Sequence, residues 1–115
     1  MLKKRDRLRA EEIKEVLTRK AIPVSTSFFN MRVLRKNTEK PFDSKFAVTV
    51  TKKMYKSAVD RHHMKRRVME ALRLTKHIFP QNLYISIMPK PDTAALSFEE
   101  LLVEVENISK RIRKG

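Results

Sequence analysis

The sequence predicts an α+β protein in which helices pack against a small mixed sheet. Some segments have apolar residues spaced three and four apart, as in helices. In the segments between them, residues that point to opposite faces follow one another, as in strands. Their order is helix, strand, strand, helix, strand, helix, which is typical of that class. The 115 residues are the length of one domain, and an apolar share of 41% is enough for one small core. We therefore treat residues 1–115 as a single domain.

The first two predicted elements are a helix over residues 9–20 and a strand over residues 27–35. The helix has one narrow apolar stripe, and Pro23 ends it because the residue before a proline is disfavoured in helical geometry. The stripe consists of Ile13, Val16 and Leu17. Neither face of the first strand is purely apolar. A second strand is predicted over residues 45–51, and the polar loop between the two favours a hairpin with a long connection.

The second predicted helix begins with Ser57 or Asp60 as its cap and runs to residue 77, before Pro80. One side of this helix is apolar, and the opposite side is mostly cationic. The apolar side carries Met64, Val68, Ala71, Leu72, Thr75 and Phe79, and the opposite side His62, Lys65, Arg66, Met69, Arg73 and Lys76.

The last two predicted elements are a strongly apolar strand over residues 83–88 and a helix that follows Ser97. Ser97 and Glu100 have the spacing of a capping box, in which each side chain accepts a hydrogen bond from the other residue's backbone N–H. The buried stripe of this helix is Leu101, Leu102, Val105, Ile108 and Ile112. If the second helix crosses to a parallel third strand, the sheet is mixed.

Charge is the strongest functional signal. Lysine and arginine number 27 against 13 acids, a formal net charge of +14, and between residues 52 and 76 basic residues outnumber acids nine to two. Such an excess destabilises a compact fold unless a polyanion neutralises it, and nucleic acid is the usual polyanion. The alternative is a basic surface that is merely solvated. Here, however, basic and acidic residues are clustered in different parts of the sequence, which indicates a separate basic face.

Composition excludes several classes of protein. The absence of cysteine excludes a disulfide framework, a zinc knuckle and a thiol nucleophile. No apolar run reaches the ~18 residues of a membrane span. The basic N-terminus is not followed by the apolar stretch of a signal peptide, so we expect a cytoplasmic protein.

The most informative segment is KKMYKSAVDRHHMKRRVMEALR over residues 52–73, in which a strand leads through a basic turn into the cationic helix. Helix N-termini favour phosphate, and cations further along the helix would extend the site along a sugar–phosphate backbone. Long cations suit phosphates better than base edges, which Asn and Gln would read.

This segment resembles the hallmark KKxGKSAVxRNRxKRxxRExxR of the protein subunit of bacterial ribonuclease P. The opening LKKRDRL of residues 2–8 is similar to the family's LKKxxRL. Likewise YISIMPKP, residues 84–91, is similar to YIIIARKP, and LSFEEL, residues 96–101, corresponds to the start of the family's last helix. The resemblance covers nearly the whole chain.

The chain departs from the family pattern at several positions. The central RNR is Arg61-His62-His63 here, and Met69 replaces an arginine. The usual turn glycine is Tyr55, so we expect the turn to avoid positive φ. Aromatic residues common on the family's first helix correspond to Ile13 and Leu17.

The resemblance implies an αβββαβα fold with a left-handed crossover, with the strand missing from our prediction in residues 25–31 or 36–44. It implies a ribonucleoprotein that cuts the 5′ leader from precursor tRNA, in which the RNA subunit and its Mg²⁺ ions catalyse hydrolysis and the protein supplies no catalytic residue. The implied contacts with ribonuclease P RNA are Lys52, Lys53, Lys56, Arg61, His62, His63, Lys65, Arg66 and Arg73. The candidates for the cleft that holds the single-stranded leader are Ile13, Leu17, Phe29, Arg32, Phe46 and Lys90. For Phe29 and Phe46, ordinary core packing is an equally good interpretation.

Three other functions fit parts of the sequence. A ribosomal or other structural RNA-binding protein matches the composition but would lack the KKxxKSAVxR run. A DNA-binding transcription factor would prefer duplex DNA to structured RNA. A protein-only nuclease is disfavoured, because His62 and His63 point ~100° apart on a helix and no paired carboxylates stand beside them to hold metal ions.

Overall fold

The computed structural model describes residues 2–18 and 21–114, and over them three helices flank a four-stranded sheet. The helices are α1 (Ala10–Thr18), α2 (Ala58–Thr75) and α3 (Phe98–Lys114). The strands are β1 (Ile22–Ser25), β2 (Phe29–Arg35), β3 (Lys45–Val48) and β4 (Leu83–Pro89). Short 3-10 turns occupy Lys4–Asp6, Lys76–Ile78 and Pro91–Ala95. Residues 19 and 20, where the predicted first helix ends, lie outside the described residues.

The sheet is mixed, with strand order β1-β2-β4-β3. β2 pairs antiparallel with β1 and β4, whereas β3 pairs parallel with β4, so α2 connects two adjacent parallel strands. The mixed sheet is confirmed, but the predicted hairpin between β2 and β3 is wrong. β4 lies between them, with Ile85 opposite Val33 on one side and Phe46 on the other. The most apolar strand thus takes the position where both edges are paired.

β1 is the strand that our prediction lacked, and it overlaps the expected ranges only at Ser25. Pro23 lies inside β1, at the edge of the sheet, where its missing N–H breaks no inner ladder. A turn at Thr26 then leads into β2, with the Thr26 amide donating to the Phe29 carbonyl at 2.8 Å. β2 therefore begins at residue 29 rather than 27, and β3 ends at residue 48 rather than 51.

The core has two parts, one on each face of the sheet. The larger part lies under α2 and α3. It includes the residues predicted for the apolar side of the second helix, except that Thr75 is buried beside it as a polar residue. It also includes the α3 stripe, of which Leu102 is only partly buried. The smaller part, under α1, contains Leu8, Val16, Leu34 and Ala47. Leu17, which we predicted on the buried stripe of α1, is 54% exposed.

Met69 corrects the prediction for α2. We placed it among the cations, but it is 6% exposed and belongs to the larger core together with Leu2. The N-terminal segment covers this side of α2, a contact between distant parts of the chain that helical periodicity does not report. None of the helices in the described parts of the chain is long and apolar enough to cross a bilayer.

The predicted caps of α2 and α3 are confirmed, whereas α1 begins at Ala10 rather than at residue 9. Ser57 caps α2, its hydroxyl accepting a 3.4 Å hydrogen bond from the Asp60 amide. At α3 the Ser97 hydroxyl accepts from the Glu100 amide at 3.1 Å, and the Glu100 carboxylate accepts from the Ser97 amide at 2.9 Å. Hydrogen bonds from Ser97 to the Glu100 carboxylate, first from its backbone amide and then from its side chain, hold the pKa of Glu100 below its ordinary value.

We predict that Ser97→Ala lowers the free energy of unfolding by about 1 kcal/mol, because a backbone donor at the start of α3 loses its acceptor. Urea denaturation monitored by circular dichroism measures this loss. The matched variant Ser97→Thr keeps the oxygen and should lose clearly less. Equal losses in the two variants would show that the cap does not stabilise α3.

Candidate RNA-binding surface

A cleft of about 1230 Å³ lies beside β3, the last strand in the sheet order. Its walls come from four parts of the chain, namely β3, the first half of α2, the start of α1 and the N-terminal segment. The lining residues are Lys4, Arg5, Arg7, Leu8, Arg9, Ile13, Lys45, Phe46, Ala47, Val48, Thr49, Val50, Ala58, Arg61, His62, Lys65 and Met69. The cleft therefore brings together residues up to 65 positions apart in sequence.

The lining of the cleft carries charge of one sign. Among the described residues, seven lysines and arginines and one histidine line the cleft, and no aspartate or glutamate does. The floor is apolar, with Phe46 almost fully buried and its ring edge-on to that of Phe79 at 5.1 Å between centroids. A groove that combines an apolar floor with cationic walls can hold a single-stranded polyanion.

Beside the cleft, α2 presents its predicted RNA-contact residues to solvent. His62, His63, Lys65 and Arg66 are all exposed, as are Lys52, Lys53 and Lys56 in the loop before the helix. A second groove of about 550 Å³ lies between α2 and the start of α3. It is lined by Val59, His62, His63, Arg66, Arg67, Glu70 and Phe98. The cationic row of α2 thus separates two grooves and is free to meet a ligand.

Arg61 differs from its neighbours because its guanidinium is used within the protein. It is half-buried and donates to the carbonyls of Tyr55 and Lys56 at 3.0 and 2.9 Å. Tyr55 is buried, and its hydroxyl donates to the Lys90 carbonyl at 2.6 Å. Burial raises the pKa of Tyr55. Arg61 and Tyr55 therefore hold the lysine-rich loop against α2 and the end of β4.

The loop accommodates Tyr55 without left-handed backbone, as the sequence led us to expect. Among the described residues, only Asn82 has a positive φ, at 65°. The tyrosine that replaces the family's glycine is therefore an anchor for the loop rather than a source of strain.

Arg73, at the far end of the α2 row, is paired with Glu70 one turn earlier. Its Nε donates to the Glu70 carboxylate at 2.9 Å. The hydrogen bonding from Arg73 is the largest of the effects that lower the pKa of Glu70 to about 2. Arg73 remains about 42% exposed, so its guanidinium still borders the surface of the helix.

The structure brings only part of the predicted leader cleft together. Ile13 and Phe46 line the cleft, whereas Leu17 and Arg32 lie outside it and meet each other where Arg32 donates to the Leu17 carbonyl at 3.4 Å. Phe29 has no exposed surface on which a base could stack. Lys90 is half-buried and donates to the Thr26 carbonyl at 2.5 Å.

Five cleft cations were absent from the sequence-based candidates. They are Lys4, Arg5, Arg7, Arg9 and Lys45. The clustered charge of the first nine residues was the available signal, but only the fold shows that this segment lies across from α2. Arg7 Nε is the buried side-chain donor that lacks a hydrogen-bond partner within the described part of the chain.

One carboxylate fixes α1 beside the cleft. Glu12 accepts hydrogen bonds from the Arg9 amide at 2.8 Å, from Lys45 Nζ at 3.1 Å and from the Tyr84 hydroxyl at 3.0 Å. Burial alone would raise the pKa of Glu12, but these three hydrogen bonds outweigh it and the pKa is lowered from 4.5. Burial, together with the bond to Glu12, raises the pKa of Tyr84 to about 12.

We predict that acid weakens this attachment. The folded protein binds protons at Glu12 less readily than the unfolded chain, so the contribution of Glu12 to stability is complete above about pH 4.5 and is lost as the pH falls through the lowered pKa. Urea denaturation at a series of pH values should show a shallower decline for Glu12→Gln than for the native chain. An identical decline would mean that Glu12 does not couple folding to pH.

Comparison with known proteins agrees with these features. A family model described as Ribonuclease P matches residues 2–113. The Ribonuclease P protein component of Photobacterium profundum is 33% identical over 70 residues, which are 61% of this chain and 58% of the relative. The matched segment thus spans less than two thirds of that relative.

Solved structures share the fold. The RNase P protein from Thermotoga maritima matches with a TM-score of 0.75 at 20% identity, covering 91% of this chain and 96% of that one. A Staphylococcus aureus RNase P protein mutant with defective mRNA degradation activity matches with a TM-score of 0.76 at 17% identity, covering 96% and 90%. With the family model matching almost every residue, the chain belongs to the ribonuclease P protein family.

Proposed function

We propose that this chain is the protein subunit of a ribonuclease P, which binds the catalytic RNA and the 5′ leader of precursor tRNA and so assists 5′ maturation of tRNA in the cytoplasm. The observation that carries the proposal is the cleft of single-sign charge beside an exposed cationic row on α2. The membership of the chain in the family and its fold both support it.

The row on α2 and the preceding loop are the proposed contact with ribonuclease P RNA. The exposed lysines and arginines present long, flexible cations, which bind phosphates along a folded RNA without reading its sequence. Arg61 contributes by holding the loop of Lys52, Lys53 and Lys56 in place through its two carbonyl contacts. His62 and His63 occupy contact positions with imidazoles that can donate hydrogen bonds to phosphate.

The cleft is the proposed binding site for the single-stranded leader. Phosphates would meet the cations on both walls, and the sugars and bases would lie against the apolar floor around Ile13 and Phe46. The almost complete burial of Phe46 limits base stacking there, so charge rather than aromatic stacking carries the proposed affinity.

The Mg²⁺ ions of the reaction are proposed to bind the RNA subunit. Mg²⁺ prefers carboxylate and other oxygen ligands, whereas the cleft lining is cationic and apolar. Over residues 2–18 and 21–114 there is no group of three or more His, Asp or Glu side chains that could hold a metal ion. These residues do not fit a magnesium site held by the protein.

The proposal is tested by adding the purified protein to a bacterial ribonuclease P RNA at low Mg²⁺ concentration and measuring cleavage of precursor tRNA. We expect cleavage to be rescued, because the added cations replace Mg²⁺ in neutralising the assembled RNAs. A ribosomal or other structural RNA-binding protein would bind RNA without rescuing cleavage, and that outcome would overturn the proposal.

A further inference from the structure

The N-terminal segment, residues 2–9, forms one wall of the cleft and carries four of its lysines and arginines. Its apolar residues face inward, with Leu2 2% exposed in the larger core and Leu8 8% exposed in the smaller one. Lys4, Arg5 and Arg7 lie between these anchors and face the cleft. The segment is thus attached at both ends and cationic in the middle.

Asp6 is the point of attachment between the two apolar anchors. It is 3% exposed, and its carboxylate accepts a 2.6 Å hydrogen bond from Lys76 Nζ, 70 residues later. Lys76 follows the last residue of α2, where a cation is also favoured by the helix dipole. The pair therefore joins the N-terminal segment to the end of the helix that forms the opposite wall.

Electrostatic repulsion makes an attachment necessary. Asp6 is the sole acid in the first ten residues, which contain five lysines and arginines. Across the cleft stand Arg61 and Lys65 of α2, so like charges face each other in the absence of a polyanion. A neutral residue at position 6 would remove the ion pair with Lys76, which opposes this repulsion.

The backbone of the segment continues the sheet beyond β3. Arg7 forms a parallel bridge with Phe46, and the Leu8 amide donates to the Phe46 carbonyl at 2.8 Å. Arg7 Nε is buried without a hydrogen-bond partner in the described residues. The backbone contacts with Phe46 hold residues 7 and 8 against the edge of the sheet.

We propose that Asp6 and Lys76 are a positioning pair, which holds the cationic N-terminal segment as the second wall of the cleft so that single-stranded RNA is bound from both sides. This inference rests on the proposed function for the identity of the ligand. Asp6 acts through the placement of Lys4, Arg5 and Arg7 and makes no contact with RNA itself.

The decisive variant is Asp6→Asn. An effect of net charge and an effect of losing the positioning pair would change its affinity for RNA in opposite directions. The change makes the protein one unit more positive, so net charge alone predicts tighter binding of RNA. The positioning pair predicts at least about tenfold weaker binding of a labelled single-stranded RNA of about ten nucleotides, by fluorescence anisotropy. If three phosphates are no longer bound, the slope of log affinity against log salt becomes shallower by about 2.

Two further measurements separate positioning from a general loss of stability. In the free protein, amide hydrogen exchange at Leu8 should become faster in Asp6→Asn while exchange in β4 is unchanged, because only the segment is released. A double-mutant cycle with Lys76→Gln should show that the double variant binds no more weakly than the weaker single variant, since both changes remove one interaction.

The matched control is Glu15→Gln, which breaks the ion pair between Glu15 and Lys36, also 2.6 Å long but outside the cleft. It should leave affinity for the oligonucleotide unchanged.

Unchanged or tighter binding of RNA by Asp6→Asn would overturn the inference. If that variant does not fold, Lys76→Gln is tested by the same measurements of hydrogen exchange and salt slope. Rescue of precursor-tRNA cleavage by the native chain tests the proposed function separately, so either can fail alone.

Discussion

Arg66→Glu is expected to bind ribonuclease P RNA at least about tenfold more weakly than the native chain at moderate salt. Arg66 lies exposed on α2 and borders the groove between α2 and α3, so reversal of its charge places a repulsive carboxylate in the proposed contact. The slope of log affinity against log salt should also become shallower, by about one unit for each phosphate that the variant no longer binds. Because the side chain is exposed, the fold should not change.

Filter binding or anisotropy at several salt concentrations gives both quantities. Lys110→Glu is the matched control, since it makes the same change in net charge at an exposed position on α3 that borders neither groove. Equal losses in the two variants would mean that only net charge matters. Unchanged affinity in Arg66→Glu would mean that this side of α2 does not face the RNA.

Ile85→Ala is expected to lower the free energy of unfolding by about 2–5 kcal/mol. Ile85 has no exposed surface and lies in the central strand, directly between Val33 and Phe46 on the neighbouring strands. Truncation removes buried apolar surface and leaves a cavity that the surrounding side chains fill only in part. A loss of this size is a large fraction of the stability of a small domain.

Chemical denaturation followed by circular dichroism measures the effect. The control, Ile22→Ala, makes the same truncation on the edge strand β1 at a side chain that is 60% exposed, and should change the free energy by no more than about 0.5 kcal/mol. A small loss in Ile85→Ala would show that the sheet repacks around the missing side chain.

Local patterns in the sequence predicted the helices better than the sheet. The apolar sides of α2 and α3 and both caps appear where expected, because each depends on residues three or four apart. Strand order depends on pairing between distant segments, and nothing local shows that β4 separates β2 from β3. β1 was missed because Pro23 is compatible with an edge strand as well as with a helix stop.

The same distinction holds for the candidate site. The cations of α2 could be selected because one helix displays them, and the structure leaves most of them exposed. The cleft depends on the N-terminal segment meeting α2 and β3, a contact made through Leu2, Asp6 and Leu8 across long sequence separations. The sequence shows that this segment is rich in lysine and arginine, but not that these side chains line a cleft opposite α2.

The position of β4 has a consequence for synthesis on the ribosome. The strand that is last in sequence is flanked on both sides in space, so β2 and β3 remain without their shared neighbour until residues 83–89 have left the exit tunnel. A nascent chain that ends earlier has already exposed the lysines and arginines of residues 52–76, with no completed sheet beneath them. Late closure of a non-local pairing is slow, and the growing polypeptide carries its polyanion-binding charge before it has a native shape.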